Sequence, residues 1–317
     1  MKRRSLIVGL GSLTAGNRAG FAQAGVPTVG VLVPDEPDEF TAQLASALQQ
    51  FGLSPGKNVR FAVRSAQGNS ALLAELAAEL VRLKVNLIVA RLTPAALAAS
   101  RATQTIPIVM AGAGDPLETG LVDSLSHPGR NVTGVAGLAA TLAGKLVEII
   151  HDMLPGAHHI AVLANFTDTF TKPFTREISL AANAMSMEAN VTMVRGGEDL
   201  AKVFEQVMST RPQAAIVQPS LPRRAAALLA LAHHLPTFSP VASFAAEGGL
   251  VAYSSNTVEI FQQTARYVDS ILKGAMPADL PVTQPTKFDL TINMRTATAI
   301  GLTIPPTVMA LADNVLQ

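Results

Sequence analysis

Side chains that could make or break bonds are scattered and unpaired along this sequence. Cysteine is absent, which removes thiolate nucleophiles, structural disulfides and thiolate-held metals. The six histidines, His127, His151, His158, His159, His233 and His234, show no H-E-x-x-H spacing and have no Cys/His partner set. Neighbouring histidines beside strand starts and helix ends read as surface features, so no metal and no cofactor is expected. Neither a G-x-S-x-G elbow nor a Walker A loop occurs. AGAGDP, at 111–116, follows a strand but lacks the third glycine and the immediate helix of a dinucleotide cradle, and it reads as a ligand loop. What remains is recognition chemistry, with short polar side chains placed where apolar runs end. Asp35, Thr93, Asp115, Asn165, Thr167 and Ser220 can hydrogen-bond a small molecule, and Phe244 and Tyr253 can pack against it. Asp115 is equally suited to capping the segment that follows it.

These positions take their meaning from the elements around them. LIVARLTPAALAA, at 87–99, is a buried strand that ends in Arg-Leu-Thr-Pro and turns at once into a helix. The same alternation runs along the chain. Strand-like runs lie at 27–34, 58–65, 86–90, 107–114, 159–165, 190–195, 214–220 and 239–243. Between them, 38–51 places Phe40, Leu44, Leu48 and Phe51 on one helical face. A helix capped by Asn69 or Ser70 turns Leu72, Leu73, Leu76, Leu80 and Leu83 inward, and one at 138–153 buries Leu142, Leu146, Ile149 and Ile150. Further helices fall near 93–104, 172–188, 199–209 and 222–234. Such alternation implies α/β architecture with parallel sheets covered on both faces.

An internal echo suggests two lobes. Ile88 and Pro94 match Ile216 and Pro222 at an offset of 128, while Pro107 and Gly120-Leu-Val match Pro236 and Gly249-Leu-Val at 129. Aligned Pro and Gly carry backbone meaning that alanine does not. Two kindred doubly wound lobes would face each other across a cleft lined by strand-end loops, where ligands of open α/β sheets bind. Thr93 then becomes a pocket hydroxyl at a helix N-terminus, a setting that also favours anions.

The first 24 residues read as an export signal: Lys2-Arg3-Arg4, a short apolar run, and an Ala22-Gln23-Ala24 cleavage site, leaving the Sec and twin-arginine routes both open. Without them the chain carries 20 basic and 23 acidic residues, a balance of −3, so no nucleic-acid surface is expected.

The sequence resembles a tryptophan-binding-like family of ABC transporter substrate-binding proteins over nearly all of the mature chain. The stretches GDP–GLV–SL–PG–NVTG, from Gly114 to Gly134, and PADLPVTQPTKF, from Pro277 to Phe288, carry the resemblance most specifically. It implies a type I periplasmic binding fold with three hinge crossings, one small amino-acid or aromatic solute, an ABC permease as partner and no catalysis. The chain is then a periplasmic monomer, with lobe 1 at 25–136 plus 256–280 and lobe 2 at 137–255 plus 281–317. The resemblance places Thr93, Asp115, Asn165, Thr167 and Ser220 at the ligand. Amino-acid binders of the family often carry an acidic or amide pair in the last of these loops, but here it reads Gln218-Pro-Ser-Leu-Pro222, without a carboxylate. Asp35 or Glu36 is the available substitute. A ligand-sensing module for a membrane receptor would use the same pocket, whereas a hydrolase or transferase needs a nucleophile–base pair that the sequence does not offer.

Overall fold

A computed structural model of the chain describes residues 25–195 and 200–317, so the expected export signal lies outside the described residues. The first series comprises β1 (Thr28–Val33), α1 (Asp38–Gln49), β2 (Arg60–Ser65), α2 (Leu73–Arg82), β3 (Leu87–Arg91), α3 (Leu92–Ala102), β4 (Ile108–Gly114) and β5 (Val132–Gly137). Its strands form a parallel sheet in the order β2-β1-β3-β4-β5. The second series runs α4 (Ala139–Met153), β6 (His159–Asn165), α5 (Thr171–Ala184), β7 (Glu188–Val194), α6 (Leu200–Ser209), β8 (Ala214–Val217), α7 (Arg223–Ala232), β9 (Thr237–Ser239) and β10 (Val251–Ser255). Its strands lie in the order β7-β6-β8-β9-β10, which repeats the winding of the first sheet. Then come α8 (Thr257–Leu272), β11 (Phe288–Asn293), α9 (Met294–Ile300), α10 (Pro306–Met309) and β12 (Asn314–Leu316). β11 joins β10 antiparallel and β12 joins β11 parallel, so the second sheet carries a mixed margin that strand–helix alternation does not announce.

Burial follows the pattern of the side chains. Along β1, Val29, Val31 and Val33 point to one face, where they pack with Phe40, Leu44 and Leu48 of α1 and with α8. Leu32 points to the other face, with Leu73, Ala77 and Leu80 of α2. That face of α2 is narrower than the leucine spacing suggests, because the helix begins only at Leu73. Leu72 belongs to a preceding turn capped by Asn69, and both Leu72 and Leu83 are exposed. The strand expected at 239–243 is also shifted. β9 ends at Ser239, Pro240 has no N–H to offer a ladder, and 242–244 form a 3₁₀ turn. β5 escapes notice in the sequence because glycines interrupt it. Gly134 has φ +129°, and a Cβ there would lie 2.3 Å from the Met110 carbonyl oxygen.

The chain crosses between the lobes after β5, after β10 and before β11. α8 packs on α1, β4 and β5, so it belongs to the first lobe although it follows the second. Residues 281–283, expected in lobe 2, stay with lobe 1. The Thr283 N–H donates to Gly134 O at 3.0 Å, Thr283 O accepts from the Ala136 N–H at 2.8 Å, and Val282 is buried in the first core. The Tyr267 hydroxyl of α8 donates to Pro281 O and helps to hold this segment.

Candidate functional site

In a doubly wound sheet the crevice opens beyond the strand ends where the winding reverses. For the first lobe that point lies between β1 and β3, and the residues just past or at those ends include Asp35 and Arg91. Arg91 Nη1 donates to Asp35 Oδ1 at 2.5 Å. Asp35 Oδ2 accepts a second bond, 2.8 Å long, from Arg223 Nη2 at the start of α7 in the other lobe. The same Nη2 reaches Glu247 Oε1 at 2.9 Å, and the Ser243 hydroxyl donates to that oxygen at 2.8 Å. Four charges thus form a chain, Arg91–Asp35–Arg223–Glu247, that crosses from lobe to lobe. Burial alone would raise the Asp35 carboxyl, but Arg91 and Arg223 outweigh it and hold the group below the usual carboxylate value. For Arg223, burial works against the charge, while Asp35 and Glu247 prevail and raise its pKa. A cation at the first turn of a helix opposes the helix dipole, so Arg223 needs these anions twice over.

This chain forms one wall of an interlobe cavity of about 600 Å³. Phe40 and Phe261 supply much of another wall, with ring centroids 5.1 Å apart, and the Arg91 guanidinium lies 5.5 Å from the Phe40 centroid. Leu92, Leu142, Ile260 and Val241 extend the apolar lining. One end of the cavity is therefore ionic and charge-balanced, and the rest is mostly hydrocarbon and aromatic ring, interrupted by Gln43, Gln67, Ser254, Ser255 and Thr257. Two further contacts hold the lobes together. Arg176 of α5 pairs with Glu118 at 3.0 Å on the exposed rim. Phe170 rests against Gly114 so closely that a methyl group there would lie 2.3 Å from Cε2 of the ring.

A second polar cluster occupies the winding-reversal point of the other lobe, between β6 and β8. The Asn165 side-chain amide donates to Ser220 Oγ at 3.2 Å, and Ser220 Oγ donates to Asp168 Oδ2 at 2.6 Å. Gln218 Nε2 also donates to that oxygen, while Gln218 Oε1 accepts from the Asn165 backbone N–H and the Thr171 hydroxyl. Burial pushes the Asp168 carboxyl up, against the hydrogen bonds from Ser220, the Phe170 backbone N–H and Gln218 that favour its ionised form.

Of the eight side chains singled out from the sequence, Asp35 lines the large cavity, and both of its oxygens are already engaged by arginine. The other seven do not line it. Asn165, Thr167 and Ser220 meet in the second cluster, where the Thr167 hydroxyl donates to Asn165 Oδ1. Thr93 is buried; its hydroxyl accepts from the Gly114 N–H at 2.9 Å, tying α3 to the end of β4. Asp115 Oδ1 accepts from the Glu118 N–H at 3.1 Å, as a turn cap does. Phe244 is wholly buried in the second core, packed against Gly249, and Tyr253 packs on Phe288. Sequence reasoning places the loop Ser243–Glu247 on the second wall, as found, but passes over Arg223, Phe40 and Phe261 as contacts of the cavity. Phe40 reads as an ordinary core residue of a helix. The one available signal was Pro222-Arg223-Arg224, two cations at a helix start, where the dipole disfavours them.

Two similar α/β lobes with a ligand-sized cavity between them and a polar wall shared across the gap define a solute-binding architecture of the type I periplasmic class. The chain belongs to the ABC transporter substrate binding protein family, whose model matches residues 29–316. A crystal structure of a conserved domain protein from Vibrio cholerae is 28% identical with a TM-score of 0.83, covering 92% of this chain and 99% of that one. An ABC domain from Streptococcus pneumoniae in complex with L-Trp is 26% identical with a TM-score of 0.81, at the same coverage. A tyrosine-binding protein of Clostridioides difficile is 25% identical over 265 residues, 81% of this chain and 74% of that one. Among the described residues no cluster of His, Asp or Glu is placed to hold a metal, and no helix is long and apolar enough to cross a membrane.

Proposed function

We propose that this protein captures an amino acid with a large apolar or aromatic side chain in the interlobe cavity and delivers it to an ABC importer. The observation that carries the reading is the cavity itself. Its size suits a small ligand, its ionic end is internally neutral, and its remaining walls are largely apolar, led by Phe40 and Phe261. A zwitterion with a hydrophobic body matches both ends at once. Relatives described as binding tyrosine and tryptophan support this choice. Export through the basic, apolar amino-terminal segment and docking of a monomer on a permease complete the proposal.

The site residues divide by role in this reading. Asp35 is the internal counter-ion of the cavity. Thr93, Asp115, Asn165, Thr167 and Ser220 set the loops that shape it, and Phe244 and Tyr253 support the second wall from behind. Isothermal calorimetry on the chain from Gly25 onward, with L-tyrosine, L-tryptophan, L-phenylalanine and L-leucine, tests the proposal. At least one should bind with a Kd of about micromolar or tighter. Absence of heat for all four at millimolar concentration would overturn it.

A further inference from the structure

Two serines that end β10, Ser254 and Ser255, line the cavity and are 3% and 7% exposed. Unlike Thr93, Asn165 and Ser220, whose hydrogen-bonding groups are engaged by neighbours, neither has a side-chain hydrogen bond among the described residues. Their hydroxyls are not sealed off either. The unpartnered side-chain atoms that have lost contact with solvent are His151 Nδ1, Arg223 Nε and Glu247 Oε2, and the serine oxygens are not among them. Each hydroxyl therefore opens onto the space that its residue lines. Side chains alternate along a strand, so Ser255 shares the face of Tyr253, where α4 packs, and Ser254 that of Ala252, beside Val241. Gly137, Leu138 and Ala139 bring the start of α4 to the same cavity. No side chain caps this fifteen-residue helix, its first turn holds no acidic residue, and the N–H groups of Ala139, Ala140 and Thr141 meet no acceptor among the described residues. Spare N–H groups at the positive end of a helix dipole favour an anion.

We infer that the start of α4 and the hydroxyls of Ser254 and Ser255 form the subsite that holds the ligand's carboxylate, the N–H groups and both hydroxyls donating to its oxygens. The inference rests on the solute-binding reading and adds which residues set its specificity. The two arginines are the obvious rivals for an anion, but they are already committed. Arg91 pairs with Asp35, and Arg223 pairs with Asp35 and Glu247, so a carboxylate at that end would compete with anions in place. At α4 and β10 it meets donors with no other acceptor, and hydrogen bonds to an ionised acceptor are the stronger kind. α4 and β10 both belong to the second lobe. The subsite therefore persists when the lobes part, receives the carboxylate before closure, and leaves Phe40 and Phe261 of the first lobe to cover the apolar body afterwards.

Calorimetry of the wild-type protein with L-tyrosine, L-tryptophan and their carboxamides, L-tyrosinamide and L-tryptophanamide, tests the assignment, repeated on Ser254→Ala and Ser255→Ala. Each amino acid that binds the wild type should do so at least about tenfold more tightly than its amide, as expected when charge-assisted bonds are lost. Each serine variant should weaken the amino acid about tenfold while the amide stays within about threefold, so the preference for the carboxylate shrinks. Amides that match the amino acids on the wild type would overturn the assignment and leave solute binding standing. So would a carboxylate preference that both variants retain in full, which places the carboxylate elsewhere in the cavity. Equal weakening of acid and amide would mark a purely structural role and overturn it too; melting temperatures of the unliganded variants identify either one that fails to fold, and the other then carries the test. No binding of either amino acid or its amide to the wild type would overturn the aromatic amino-acid reading and this assignment with it.

Discussion

Asp35→Asn isolates the contribution of the cross-lobe ionic chain to ligand capture. The carboxylate serves two guanidiniums, but only one bond depends on closure. Its pair with Arg91 lies within the first lobe and survives any separation, whereas its pair with Arg223 exists only when the lobes meet. Arg223 is 4% exposed and Asp35 17%, so this closing contact is poorly screened by solvent. A hydrogen bond to a charged group in such a setting contributes about 1.5–3 kcal/mol. Losing it should shift the closed–open balance about 10- to 150-fold. If only the closed form holds ligand firmly, that factor passes directly into Kd. Arg176–Glu118 provides an internal control. It also links the lobes, yet its side chains are 47% and 30% exposed, and pairs of that kind contribute about 0–1 kcal/mol. Glu118→Gln should therefore weaken binding by no more than about fivefold, and added salt should erase the difference. Calorimetry gives Kd for both variants, and small-angle scattering of the liganded proteins gives their degree of closure. Asp35→Asn binding within about threefold of wild type, or Glu118→Gln proving as harmful, would refute the argument.

Three further outcomes follow from the same geometry. Gly114→Ala places a methyl group against the Phe170 ring across the lobe junction, an overpacking cost of about 1–3 kcal/mol felt only on closure. Ligand affinity should fall, and Phe170→Leu in the same chain should restore part of it; affinity unchanged in the single variant would exclude a tight junction there. Asp115→Ala removes the acceptor for the Glu118 N–H at a residue with φ +38°, so stability should drop by about 1 kcal/mol while affinity stays within about threefold of wild type. A large affinity loss at unchanged melting temperature would instead make Asp115 a ligand contact. Asp168 and Asp35 should respond to pH in opposite senses. The folded pKa of Asp35 is depressed, so its contribution is fully present above the unfolded value near 3.8 and is lost only as pH falls through the lower folded value. The folded pKa of Asp168 is raised, so its contribution to stability declines as pH climbs from the unfolded value near 3.8 through the higher folded one. The melting temperature of the wild type relative to Asp168→Asn should therefore fall between acidic and neutral pH, and a constant difference would contradict the burial of that carboxyl.

Much of the fold is written in local pattern. β1, β3 and β6 are continuous apolar runs, and the stripes of α1 and α4 fall largely where their period places them, except that Phe51 lies beyond the end of α1 and Ile149 is half-buried. The echo between halves is real at β3–α3–β4 and β8–α7–β9, where Ile88 and Ile216 sit in equivalent strands and Pro107 and Pro236 each precede the next one. It parts at the Gly-Leu-Val triplets. Leu121 and Val122 fold from a loop into the first core, whereas Leu250 is buried ahead of β10 and Val251 opens that strand. The site was less legible, for a physical reason. Polar residues at strand ends read as ligand contacts, but Thr93, Asn165 and Ser220 spend their hydrogen bonds on neighbouring backbone and side chains. Short side chains near strand ends satisfy local groups first. The longer side chains of Arg91, Arg223 and Glu247 are the ones that form the chain across the gap.

The energetics of such a cleft constrain how it can work. If the ionic chain alone held the lobes shut, an unliganded protein would be closed and solute would have no way in. If it contributed nothing, closure would depend entirely on the solute. The geometry sits between these limits. Arg91–Asp35 and Arg223–Glu247 are each complete within one lobe, so opening breaks one ion pair in the cleft and leaves each guanidinium with an anion. An exposed rim pair and the Phe170–Gly114 contact are lost with it. A barrier assembled from one buried and one screened ion pair is a few kcal/mol, within reach of thermal opening and of a small ligand's binding energy. Closure should then be a population shift in which the ligand supplies the last increment. A variant that strengthens the latch without touching the cavity should slow solute entry more than it tightens binding, and stopped-flow association rates on such a variant would decide the point.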